Sequence, residues 1–315
     1  MNKKKILITG GKGFIGSFLV SELKKDYDIL ILSSTPQLEW QGFPVRSLLH
    51  RENLLSETEL NSCHAIIHLA GVNIASKRWS MKRKLEIRNS RITPLQQLYR
   101  MVHKKTELKT VITASGIGYY DHASATQPLT EESPMGKSFF SQVCRDWENA
   151  AFQFKDKNIR TAAVRMGLVL HSSGGFLKPF LLMNSFYLAN SIGNPNAWFS
   201  WIHIYDVVQI YRFILENETL EGSFNAVSPQ PIQQKDFLKT LRVLTKHFTL
   251  VPPIPAWIVK LMMGDRAQLV LEGAPVYPKR LLVSGFKFKF PELSAALEDL
   301  LSTKQVIEQP SLNRE

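Results

Sequence analysis

The 315-residue chain is short of cysteine: Cys63 and Cys144 are its only thiols, and neither sits at a metal-ligand spacing. A disulfide scaffold is excluded and no metal site is expected. A reducing compartment is expected, where neither thiol needs a partner. Long hydrophobic runs are also missing. The most apolar stretch, Phe176 to Ile192, is interrupted by Lys178, Pro179, Asn184 and Asn190, so it reads as a buried helix and not as a membrane span. The opening Met1-Asn2-Lys3-Lys4-Lys5 runs at once into a short apolar segment that ends in glycines, without the longer apolar region and cleavage site of a secretory signal. A cytoplasmic protein with no membrane partner is therefore expected. Acidic residues are scarce as well: 27 Asp and Glu stand against 39 Lys and Arg, a formal net charge of +12. That balance invites nucleic acid, an anionic membrane or a phosphorylated ligand.

What is present is an ordinary globular composition, 44% hydrophobic and 21% charged, in a chain long enough for a sizeable core. Its densest basic group is Lys77, Arg78, Lys82, Arg83, Lys84, Arg88 and Arg91. No zinc-finger, helix-turn-helix or RNA-binding aromatic motif accompanies it. A solvated helix face is expected there, and nucleic acid is not expected as a partner.

Short apolar runs alternate with helical patterns in the first half. Lys5–Thr9, Asp28–Leu32, Ala65–Leu69, Thr110–Ala114 and Thr161–Arg165 read as strands, and Gly13–Lys25 and about Ser80–His103 as helices. Fully apolar strands separated by helices predict a parallel sheet covered on both faces, a Rossmann-like doubly wound α/β fold. Beyond about residue 170 the pattern changes to loops, a strand-like Gly222–Val227, a helix over Gln234–Lys246, and two or three helices after the break at Pro252-Pro253-Ile254-Pro255.

The motif with the most chemistry in it is Thr9-Gly10-Gly11-Lys12-Gly13-Phe14-Ile15-Gly16, which follows a strand and opens a helix. Gly10 permits the tight turn, Gly13 lets the backbone approach a pyrophosphate, and Gly16 allows close helix–strand packing. The helix N-terminus adds N–H groups and a positive dipole end. Dinucleotide binding is the expectation. An acid about 20 residues further on would grip a ribose 2′-hydroxyl and repel a 2′-phosphate. Here the second strand ends in Ser33-Ser34-Thr35 and the next acid is Glu39. NADP(H) is accordingly preferred over NAD(H), with Lys12 either a phosphate ligand or an exposed loop lysine.

With these segments the chain resembles the extended short-chain dehydrogenase/reductase superfamily. Within it, the chain is similar to the atypical group of epimerase family proteins, which are NAD-dependent epimerase/dehydratase-like with a small C-terminal domain of unknown role. The matching residues are Gly10 to Gly16, His68-Leu69-Ala70-Gly71, Arg78-Trp79, Ile87-Arg88-Asn89-Ser90-Arg91, Ser115-Gly116-Ile117-Gly118-Tyr119-Tyr120, Trp147-Glu148, Val164-Arg165-Met166-Gly167, Trp201-Ile202-His203-Ile204, Leu271-Glu272-Gly273 and Phe290-Pro291-Glu292-Leu293. The resemblance implies an NADP(H)-binding domain over residues 1–228, a small, mainly helical substrate-side portion over 229–302, and a frayed tail over 303–315. It implies cofactor contacts at Gly10, Gly13, Phe14, Ile15 and Gly16, and at Ala70 and Gly71 beside the adenine–ribose part. The group commonly has an arginine after the second strand, where this chain has Ser33 and Ser34.

The superfamily's proton chemistry uses Ser/Thr with Tyr-x-x-x-Lys, the lysine lowering a phenol pKa that is otherwise near 10. Counting back from Glu148, the corresponding positions are Phe140 and Cys144. Neither replaces the residue it displaces. Ser115, Tyr119 and Tyr120 remain on one loop, and Ser115 occupies the position of the catalytic hydroxyl. Ser115 with Tyr119 is the expected catalytic set, the alternative for the two tyrosines being packing beneath the loop. Lys84 or Arg88 is a candidate for the missing cation. His203 is read either as a ligand-binding residue or as a turn residue, with Asp206 capping the next helix. Arg165 is read as meeting either an anionic substrate group or a structural carboxylate. The expected function is an NADP(H)-binding oxidoreductase or epimerase acting on an unknown small molecule. The alternative is a non-catalytic cofactor-binding regulator. A monomer or homodimer suits either.

Overall fold

The apolar run after the N-terminal lysines is β1 (Lys5–Thr9), and the glycine loop leads from it into α1 (Phe14–Leu23) and β2 (Asp28–Leu32). This is a computed structural model; it describes residues 3–121, 127–249 and 252–308, with side chains described up to residue 302. A small hairpin, β3 (Glu39–Trp40) and β4 (Phe43–Arg46), follows, then α2 (Glu57–Asn61), β5 (Ala65–His68), α3 (Met81–Met101), β6 (Thr110–Gly116), α4 (Phe139–Phe152) and β7 (Arg160–Met166). Next come β8 (Leu168–His171), β9 (Gly174–Gly175), α5 (Leu177–Ser185), β10 (Trp198–Phe199), β11 (Trp201–His203), α6 (Ile204–Glu216) and β12 (Gly222–Ala226). The chain ends with β13 (Ile232–Gln233), α7 (Gln234–Thr245), α8 (Ala256–Met263), α9 (Gln268–Leu271), α10 (Lys279–Val283) and α11 (Leu293–Glu308).

The main sheet runs β12-β7-β6-β5-β1-β2-β4-β3 and is parallel throughout except for β3 against β4. This is the Rossmann-like α/β fold expected from the apolar strands. The hairpin strands were not expected, because β3 is two residues long and its partner contains Pro44. The chain divides into two compact units. The first is Met1–Asp121, Glu131–Met166 and Val207–Ala226; the second is His122–Thr130, Gly167–Asp206 and Val227–Glu315.

In the first unit, α3 and α4 supply much of one core. Helix α4 starts at Ser138, whose hydroxyl accepts from the Ser141 amide at 3.0 Å. It turns Val143, Trp147, Ala150 and Ala151 inward at helical spacing. Helix α3 turns Ile87, Arg91, Leu95 and Leu98 inward in the same way. The expected solvated face holds for Lys77, Arg78, Lys82 and Arg88, which are exposed, but not for Arg83 and Arg91, which are buried; Arg88 pairs with Asp146 at 3.1 Å. The second unit has its own core of Leu177, Phe180, Phe199, Trp201, Phe237, Leu241, Ala296 and Leu297.

Three further expectations are corrected. The buried helix expected over 176–192 is only α5; Tyr187 takes φ +59°, and Ile192 pairs with Ile254 instead of continuing the helix. After the prolines there are four α-helices among the described residues, because α9 and α10 are single turns too short to carry a periodic pattern. The tail expected from residue 303 begins within α11, and 309–315 lie outside the described residues. No helix among the described residues is long and apolar enough to cross a membrane.

One polar chain locks the centre of the sheet. Parallel pairing sets Thr9 opposite His68. The Thr9 hydroxyl donates to His68 Nδ1 at 2.7 Å, and His68 Nε2 donates to the Arg91 carbonyl at 2.8 Å, which assigns the neutral Nε2–H tautomer. Burial lowers the His68 pKa from its ordinary 6.5 to about 4. Between those values the unfolded chain takes up a proton that the fold refuses, so stability falls as pH falls through that window. The share from His68 is about 3 kcal/mol at 1.36 kcal/mol per unit. Urea midpoints should drop from pH 7 to pH 5, and His68→Gln should reduce the drop. An equal drop in the variant would refute this role. A remainder is expected from His203, which burial also lowers to about 4.

Candidate functional site

The strand-to-helix turn after β1 is built by backbone proximity. Gly10 has φ +70°, and a Cβ there would lie 2.9 Å from the Ala70 nitrogen. A Cβ on Gly16 would lie 2.2 Å from the Gly10 oxygen, so α1 could not start where it does. Gly13 is the N-cap, and its N–H donates to the Gly10 carbonyl at 2.9 Å. No side chain caps α1, and its first turn, with Phe14, Ile15 and Gly16, holds no acid. The positive end of the helix dipole is thus left for an anion. The Ala70-Gly71 loop runs alongside, with the Ala70 N–H donating to Thr9 Oγ1 at 3.2 Å. The Arg91 guanidinium backs Gly71, where a Cβ would lie 2.9 Å from its Cζ. Burial lowers the Arg91 pKa to about 10. This glycine cradle fits a dinucleotide pyrophosphate.

Beyond β2, Lys12 Nζ donates to Gln37 Oε1 at 2.9 Å, so the loop lysine meets the segment that follows Ser33 and Ser34. Ser33 Oγ accepts from the Thr35 amide at 3.1 Å. The Ser34 carbonyl is held by His50 Nε2 at 2.9 Å. Arg46, opposite Leu32 in the register, is occupied by Glu59: its Nη2 lies 2.8 Å from Oε1. His50 and Gln37 were not singled out from sequence. Their relation to the glycine loop comes from the β3–β4 hairpin folding back on β2, and no local pattern announces it.

The loop with Ser115, Tyr119 and Tyr120 lies over a buried charge pair. Register sets Ser115 opposite Arg165 and Arg165 opposite Asn225, so three adjacent strands present these side chains at one level. Arg165 meets the Glu148 carboxylate with both prongs, Nε to Oε1 and Nη2 to Oε2, each at 2.8 Å. The Ser115 hydroxyl donates to Oε1 at 2.7 Å and Ser223 to Oε2 at 2.9 Å. Arg165 Nη1 donates to the Tyr120 hydroxyl at 2.9 Å, which donates to Asn225 Oδ1 at 2.6 Å. Burial opposes the charge on Arg165, but the Glu148 bonds outweigh it and hold the guanidinium above its ordinary pKa. Burial pushes the Tyr120 phenol up to about 12. Arg165 is therefore bound to a structural carboxylate, and Tyr120 is a packed, fully bonded residue. The Tyr119 ring lies on the guanidinium, 3.6 Å from Cζ to the ring centroid.

Phe140 covers this loop, so that a Cβ on Gly118 would fall 2.1 Å from its ring. Cys144 is fully buried below Gly116, and burial pushes its thiol up to about 12, which removes it as a nucleophile. The two candidate cations face α4 instead: Lys84 stands over the Phe139 ring at 5.4 Å, and Arg88 holds Asp146. In the second unit His203 ends β11 and is held by structural contacts. Its Nδ1 accepts from the Tyr205 amide at 3.1 Å, its Nε2 lies 3.4 Å from Asp299 Oδ2, and its ring stacks on Phe290 at 4.0 Å. Asp206, expected to cap a helix, accepts the Lys289 and Phe290 amides at 2.9 and 3.0 Å.

Residues 6–226 match the NAD-dependent epimerase/dehydratase family, and residues 254–300 match a domain of unknown function (DUF1731). An epimerase family protein of Staphylococcus aureus, SAR0825, is 33% identical over 303 residues, 95% of this chain and 99% of that protein. The chloroplastic SDR39U1 homolog of Arabidopsis thaliana is 32% identical over 94% of this chain and 86% of its own length. Among solved structures, human epimerase family protein SDR39U1 (isoform 2) with NADPH matches at a TM-score of 0.83 and 31% identity, covering 95% of this chain and 99% of that one. A UDP-N-acetylglucosamine 4-epimerase of Methanobrevibacter ruminantium shares the fold at a TM-score of 0.76 and 16% identity, covering 98% of this chain and 100% of that one.

Removing Glu148 would leave Arg165 as an unpaired buried charge. Glu148→Ala should lower the unfolding free energy by about 3–5 kcal/mol. Ser115→Ala, which leaves the pair intact, should cost about 1 kcal/mol. Chemical denaturation of both variants measures the difference, and comparable losses would contradict this ranking.

Proposed function

The chain belongs to the NAD-dependent epimerase/dehydratase family, and from that premise we propose that it binds NADP(H) in preference to NAD(H). We assign it oxidoreductase or epimerase chemistry on a carbonyl or sugar-nucleotide-like small molecule. The observation that carries the binding reading is the glycine cradle, where Gly10 and Gly16 leave no room for a Cβ in front of an uncapped, acid-free helix start. In this reading Gly10, Gly13, Phe14, Ile15 and Gly16 hold the pyrophosphate, and Ala70 and Gly71 border the adenine–ribose part. Lys12, Ser33 and Ser34 take the 2′-phosphate. The reading draws on Lys12 meeting Gln37 in the segment beyond β2, on the absence of a carboxylate at Ser33-Ser34, and on the NADPH carried by the human relative.

The bound nicotinamide supplies hydride, and the chain must supply or receive the accompanying proton. Ser115 and Tyr120 are engaged with Glu148, Arg165 and Asn225. Tyr119, against the Arg165 guanidinium, is thus our assignment for proton exchange, with Ser115 orienting a carbonyl only where it releases Glu148. A second reading, a cofactor-holding regulator without turnover, is favoured by one observation: Phe140 and Cys144, which the resemblance sets at the superfamily's tyrosine and lysine positions, are both packed against the loop.

Fluorescence titration should show NADPH binding more tightly than NADH, with Lys12→Ala weakening NADPH about tenfold and NADH little. Equal affinities for the two would defeat the NADP(H) assignment. On a panel of carbonyl and sugar-nucleotide compounds, Tyr119→Phe should slow NADPH oxidation by about a hundredfold or more. Tight binding with no turnover on any compound would establish the regulator instead.

A further inference from the structure

The second unit carries an apolar face that the proposed chemistry does not use. Helix α8 buries only Val259. Its Trp257, Leu261 and Met262 are 67%, 71% and 72% exposed. Trp257 and Leu261, four residues apart, lie in line on one side of the helix, with Lys260 and Met262 flanking them. Leu182 and Phe186 on α5 and Phe248 after α7 are 61%, 64% and 62% exposed. The segments that bear these residues are tied together. The Ile254 amide donates to the Ser191 carbonyl at 2.9 Å, the Thr249 hydroxyl donates to the Ala189 carbonyl at 2.8 Å, and the Tyr187 and Phe248 rings meet at 4.9 Å.

The segments that bear this face are poor in acid, with Asp236 and Asp265 at the limits of the second. Residues 172–205 and 237–264 contain no Asp or Glu, while Lys178, Lys239, Lys246 and Lys260 are exposed. Large apolar side chains exposed together on neighbouring segments suit an interaction site. Tryptophan suits a boundary between hydrocarbon and water, and lysine stems cover apolar surface while their ammonium groups stay wet. A second copy would bring the same lysines together in a chain of net charge +12. A layer of anionic headgroups would meet them with opposite charge.

We propose that this face docks on the surface of an anionic lipid bilayer, with Trp257 and Leu261 entering at headgroup depth and the surrounding lysines lying against lipid phosphates. The contact is peripheral, an interfacial helix face and no spanning segment, and it stands independently of the cofactor reading. The test is co-sedimentation of the full chain with phosphatidylcholine vesicles, with and without phosphatidylglycerol. Binding should require phosphatidylglycerol, weaken with salt, and fall about tenfold or more in Trp257→Ser/Leu261→Ser. Unchanged thermal unfolding of that variant would exclude loss of fold as the cause. Lys246→Glu/Lys260→Glu should also weaken vesicle binding while leaving the apolar side chains in place. Failure to sediment with phosphatidylglycerol vesicles would overturn the proposal, as would equal binding by the Trp257/Leu261 variant. Ultracentrifugation showing a dimer that this variant dissociates, with no vesicle binding, would give the face to a second copy.

Discussion

A guanidinium and a carboxylate buried side by side are tolerable only when nearly every lone pair and proton is used, and the Glu148–Arg165 pair governs this structure accordingly. Both residues are at most 4% exposed. Removing such charges from water costs several kcal/mol each, and the bidentate contact offsets that only with help from other donors. Ser115, Ser223, Tyr120 and Asn225 provide it, from β6, β12 and the loop after β6. The requirement aligns three strands at one level, fixes α4 against the sheet and sets the path of the tyrosine loop.

That constraint also shapes the chemistry open to the site. A hydroxyl that completes a buried ion pair is not free to orient a substrate, and a phenol pushed up to about 12 by burial is a poor proton donor. Phe140 and Cys144 pack against the same loop, so it is held by fit. Tyr119 differs in geometry, since its ring lies on the Arg165 guanidinium. The cofactor side follows a different logic. Its shape comes from what is missing: side chains at Gly10 and Gly16, a side-chain cap on α1, and an acid directly after β2.

The net positive charge resolves into unlike parts once the chain is folded. Arg83, Arg91 and Arg165 are buried and bonded, whereas the lysines of the acid-free segments in the second unit are exposed, as are several apolar residues of the same segments. Composition counts these groups together. Their physical roles differ because burial makes a cation depend on its partners, and exposure leaves its field to act on whatever approaches.

The strands of the parallel sheet and the glycine turn were legible in the residues, since Ile-rich runs buried on both faces and a Gly-x-x-Gly-x-x-Gly turn are local patterns with a direct steric cause. The limits of α5 and the single-turn helices α9 and α10 were not, because a positive φ at Tyr187 and pairing with Ile254 override apolar periodicity. Nor could sequence choose a partner for Arg165 or an orientation for Lys12. The sequence by itself determined the fold class and the glycine turn after β1. Tertiary structure alone decided that Ser115 serves Glu148, that Lys12 faces Gln37 and that α8 is bare, since each depends on strand register or on contacts between segments far apart in the chain.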